Sequence, residues 1–80
     1  MNYTQTVDAE KMAFEQIERQ TPMVAEMLLR MAARPAPLHV LTEQLRVCAL
    51  ADELGEDYYL TAVIALRYAR RYLTGFTISH

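Results

Sequence analysis

The chain has 80 residues, with eight Lys and Arg against ten Asp and Glu, a formal net charge of −2 and an apolar share of 52 %. That length supports a single core and excludes a second domain. The mild acidity supplies no positive field to draw the chain onto nucleic acid or an anionic membrane. Soluble domains are usually roughly 45–50 % apolar, and a small chain has much surface for its volume. Part of the apolar surface is therefore expected to face a partner, a second copy of the chain first among the options.

Cys48 is the only cysteine, which excludes an intrachain disulfide and fits a reducing compartment. The first residues, Met1 to Lys11, are polar and acidic, unlike a secretory signal. No uncharged apolar run approaches the roughly 18–20 residues of a membrane span. A soluble, cytoplasmic chain is the expectation. Seven of the eight cations are arginine, the residue suited to planar, bidentate contacts and to stacking on rings; a biased base composition would give the same pattern.

The few prolines and glycines punctuate four predicted helices, read as one all-α bundle over 1–80 with arm-like ends at about 1–5 and 75–80. The first runs from about Thr6 to Gln20. Val7, Phe14 and Ile17 continue a stripe begun by Tyr3, with Glu15 and Arg19 four apart on a solvated side. Thr21-Pro22 marks the next start: threonine can accept a hydrogen bond from a first-turn N–H, and proline at the first helical position sacrifices nothing.

The second helix, about Pro22 to Ala33, has one polar strip, Glu26, Arg30 and Arg34, and is otherwise Met, Leu, Val and Ala. Such a helix must be buried nearly all round, so it is expected to be the central element or an interface. Met23, Met27 and Met31 recur at four-residue spacing and are flexible enough to serve either a core or an adaptable surface. With Leu28 they are the expected interface between two copies of the chain.

Pro35-Ala36-Pro37 forces a stiff, non-helical connector. The third helix, about Leu38 to Leu54, carries two stripes: Leu38, Leu41, Leu45 and Cys48 on one side, Val40, Val47, Leu50 and Leu54 on the other. Apolar surface on both sides is a second hint of self-association. Gly55 and Gly75 each follow an apolar run, the usual place for a left-handed helix stop. The fourth helix, about Glu56 to Thr74, is apolar on every side in its first half. In its second half Arg67, Arg70, Arg71 and Thr74 share one arc.

Little points to chemistry. Two histidines and one cysteine, without CxxC or HxxxH spacing, cannot build a four-ligand zinc site. On a continuous helix His39 and Cys48 point to opposite sides, and Cys48 reads as a small core residue. No glycine-rich loop cradles a phosphate. No enzyme activity, cofactor or metal is expected.

Two surfaces stand out as candidate partner sites. One is Arg67, Arg70 and Arg71 with Tyr68 and Tyr72, residue types enriched at interface hot spots, although a plain solvated face is the competing reading. The other is the acidic group Asp52, Glu53, Glu56 and Asp57. It lacks the ligand pattern of a calcium loop, and its last two members complement the positive start of the fourth helix.

The expected function is a non-catalytic module that occludes or adapts a partner protein. Regulators, secretion chaperones and phage or mobile-element inhibitors of host machinery, the anti-CRISPR kind included, are examples of that class. The alternative is a helix-turn-helix regulator that reads DNA with the third and fourth helices, suggested by Leu50 to Gly55 and the basic, aromatic patch beyond. Glu56 and Asp57 would open its recognition helix and repel phosphates, which disfavours DNA.

Overall fold

A computed structural model describes residues 3–47 and 54–73, with side chains from Val7 onward. Every regular element among the described residues is helical. These are α1 (Tyr3–Gln20), α2 (Pro22–Ala32), α3 (Leu38–Val47) and α4 (Glu56–Tyr68), the last continuing into a π-helical turn, Ala69–Leu73. Residues 48–53 of the long third helix expected from the sequence, Cys48 and Leu50 among them, lie outside the described residues. So do Thr74, Gly75 and the tail. Within its described span α3 runs unbroken past Thr42, whose hydroxyl donates back to the Leu38 carbonyl at 3.0 Å.

α1 begins at Tyr3, about a turn earlier than its sequence periodicity suggested, and ends at Gln20. Thr21 is the one residue separating it from α2. The position was legible, but the capping chemistry differs from expectation: the Thr21 side chain makes no cap to a first-turn N–H. Its backbone does that work instead. The Thr21 N–H closes α1 onto the Ile17 carbonyl at 2.8 Å, while the Thr21 carbonyl accepts from Val24 and Ala25 at 2.9 and 3.2 Å. Pro22 follows at the first helical position, where no N–H is needed.

The Pro35-Ala36-Pro37 connector holds itself with short backbone bonds, Arg34 N–H to the Met31 carbonyl at 3.0 Å and Ala36 N–H to the Arg34 carbonyl at 2.8 Å. Pro37 offers its carbonyl to Val40 and Leu41, which starts α3. The Arg34 guanidinium reaches Gln44 on α3 at 2.6 Å. Connector and third helix are thus tied together by polar contacts as well as by packing.

The core is built from Phe14 and Ile17 of α1, Leu28 and Met31 of α2, Leu41 and Leu45 of α3, and Leu66 of α4, packed around small residues. Three of those small residues, Ala62, Ala65 and Ala69, line the inner side of α4 and the turn after it and are fully buried. With no bulk to hold neighbours off, α1 lies close along α4, and α2 and α3 also pack on it. The centre of the bundle is therefore α4. Of the two places expected for α2, centre or interface, the centre is not the one it takes: α2 keeps its Glu26–Arg30 strip in solvent and leaves Met23 83 % exposed.

Candidate functional site

The arginines expected to form one ridge part in three directions. Arg70 is a structural clamp. Its Nε donates to the Ala32 carbonyl at 2.9 Å, and its Nη2 donates to the carbonyls of Arg34 and Ala36 at 2.7 and 2.6 Å. The last carbonyls of a helix have no intrahelical partner. Arg70 supplies one to the end of α2 and to the proline connector, where a cation is also favoured by the helix dipole.

Arg71 turns toward α1, where its Nη1 lies 3.5 Å from Oε1 of Glu10, a carboxylate buried in the bundle. The contact is an ion pair without a hydrogen bond to that oxygen. The same guanidinium lies over the Tyr72 ring, 5.8 Å from its centroid. The rings of Tyr72 and Tyr68 meet at a tilt of 37° with centroids 5.3 Å apart, and Tyr68 in turn meets Phe14 at 5.9 Å. These aromatic residues tie the end of α4 to α1. The wider π turn falls across Arg70 and Arg71, where helical periodicity alone had placed them on one arc with Arg67.

Arg67 alone of the three stays on the outer surface without an ion-pair partner among the described residues. It borders a shallow groove with Leu38, His39, Thr42 and Glu43 of α3. Glu43 is already engaged: it pairs with Arg46 one turn along, and that guanidinium holds its carboxyl below the usual range. A second open groove, between α1 and α4, is bordered by Met12, Gln16, Arg19 and Thr61.

Between the two grooves runs the outer strip of α4. Asp57 and Glu56 are exposed in the first turn, Leu60 (51 %) and Ile64 (39 %) in the middle, and Arg67 near the end. This strip combines uncovered apolar side chains with charge, acidic at one end and basic at the other. Tyr58, on the other side of α4, has its hydroxyl buried without a hydrogen-bond partner, and burial pushes its pKa up.

Of the acidic group, Asp52 and Glu53 lie outside the described residues, and only Glu56 and Asp57 can be placed. The methionine row is split as well. Leu28 is fully buried and Met31 nearly so, Met27 is half-buried, and only Met23 projects fully. Leu28 and Met31, expected at an interface between two copies, instead serve the core of this chain, which leaves Met23 exposed and Met27 half-buried. Among the described residues no group of three His, Cys, Asp or Glu is arranged to hold a metal ion, and no helix is long and apolar enough to cross a membrane.

The chain matches no protein-family model, no curated protein and no solved structure. Two of the site's features escaped the sequence reading. Glu10 was traceable, since it fills the gap in the stripe Val7, Phe14, Ile17 at spacings of three and four. The role of Arg70 was not, because its acceptors are backbone carbonyls more than 30 residues away.

Proposed function

We propose that this protein is a non-catalytic binding module that acts by occluding or adapting a partner protein, with the outer strip of α4 as its docking surface. The observation that carries the reading is the exposure of Leu60 and Ile64 on the central helix of the bundle, bordered by Glu56 and Asp57 at one end and Arg67 at the other. Apolar side chains within a charged rim are the composition of a protein interface. The same strip does not suit DNA, since its phosphate-attracting charge is one arginine against two carboxylates. An inhibitor, a regulator and a chaperone all fall within this reading.

A photo-crosslinking amino acid placed at Ile64 in cells of the native host tests it. The expected result is a discrete protein adduct that disappears when Leu60→Glu is added. Absence of any protein adduct, or retention on heparin with a steep loss of affinity in salt, would overturn the proposal.

A further inference from the structure

The charges on the α4 strip are arranged so that the strip complements itself. Asp57, Leu60, Ile64 and Arg67 follow one another at intervals of three, four and three residues. At about 100° per residue the four lie within an arc of about 80°. The series of intervals reads the same in both directions. A second α4 laid antiparallel on the first therefore brings Leu60 of each copy opposite Ile64 of the other, and Asp57 of each opposite Arg67 of the other.

From this self-complementarity we infer that the strip is the interface of a two-fold homodimer formed by antiparallel α4 helices. The inference rests on the reading of the strip as a protein-docking surface and names a second copy of this chain as its occupant. Intervals of three and four are those at which a helix presents a continuous seam to another helix. A two-fold interface requires each patch to match itself, and an apolar centre with opposite charges at its two ends does so only in the antiparallel orientation. A parallel pairing sets Asp57 against Asp57 and Arg67 against Arg67. The charges are also available: Asp57 and Arg67 have no ion-pair partner among the described residues, and Glu43, which shares a groove with Arg67, is paired with Arg46. The apolar pairs supply the affinity, while the rim charges set orientation and add a salt-dependent contribution.

Charge reversal of the full chain tests this, followed by sedimentation velocity at about 1 to 300 µM, a range that covers micromolar dissociation constants. The wild type is expected to dimerise. Asp57→Arg alone and Arg67→Asp alone each create two like-charge contacts per dimer and should weaken association at least about tenfold. An equimolar mixture of the two variants creates two opposite-charge contacts and should recover dimers, all of them mixed. The double variant D57R/R67D should dimerise with itself. Circular dichroism of each variant checks that the helices persist, and recovery in the mixture cannot come from chains that have failed to fold.

A wild type that stays monomeric over this range, or single variants that do not recover on mixing, would overturn the dimer. The crosslink at Ile64 separates that failure from failure of the docking reading. A heterologous adduct with a monomeric chain removes the dimer and leaves the docking surface standing, whereas no adduct removes both.

Discussion

Arg70 shows how one side chain can decide the conformation of a distant connector. The end of α2 and the proline-bounded turn after it present carbonyls that neither a helix nor a strand satisfies. The planar guanidinium reaches three of them at once. Hydrogen bonds to a charged group contribute about 1.5–3 kcal/mol each in favourable cases, but these share one side chain and are not additive. Arg70→Ala should destabilise the fold by about 2–4 kcal/mol, read as a shifted midpoint in urea denaturation. Arg70→Lys should recover less than half of that, because an ammonium lacks the fork that spans separated acceptors. A lysine variant as stable as the wild type would show that charge alone is sufficient. Glu10 makes a related point at the neighbouring arginine: a carboxylate inside the apolar stripe of α1 draws in Arg71, since an uncompensated buried charge is costly.

At the scale of elements, the start of α4 depends on Gly55, whose φ of +100° and ψ of 155° lie in a region open essentially to glycine. The space around it is empty: a Cβ there would meet nothing within 4 Å. Any cost of substitution is therefore conformational, not steric contact with neighbours. Gly55→Ala should destabilise by about 1–3 kcal/mol, while D-alanine introduced by chemical synthesis should cost little or even stabilise. Equal effects of the two enantiomers, measured by thermal unfolding, would refute this account. The element breaks were largely legible, because Thr21-Pro22, the proline connector and Gly55 act through local backbone geometry, although Gly55 caps the start of α4 with a ψ of 155° and does not take the left-handed helical conformation expected of it. The π turn after Tyr68 was not: a sequence with ordinary helical spacing gives no sign that its last turn widens where Arg70 reaches α2 and Arg71 reaches α1.

At the scale of the whole molecule, the same helix supplies both the core and the proposed surface. Ala62, Ala65 and Leu66 are fully buried on the inner side of α4, while Leu60 and Ile64 remain partly exposed on the outer side. Leu66→Ala should therefore cost about 2–5 kcal/mol of folding stability. Leu60→Ser, at a half-exposed position, should cost only about 1 kcal/mol while reducing association. Should both variants unfold with equal loss of stability, Leu60 would belong to the core and the strip would lose its interpretation as a binding surface.

A high apolar share for a short chain follows from composition and length alone, and the division into helices follows from residue order, since periodicity and backbone-restricted residues act within a few positions. Which helix would carry the exposed apolar strip was decided by packing. Sequence inspection points to α2, whose polar strip is narrow, and to the third helix with its two apolar stripes; in the fold Leu28, Met31, Leu41 and Leu45 turn into the core, while Met23 and Val47 stay exposed. The alanines of α4 draw its neighbours onto one side and leave the other open. Side-chain size along a facing helix, long-range hydrogen bonds to carbonyls and the widened turn set that outcome, and each exists only once segments far apart in the chain are brought together.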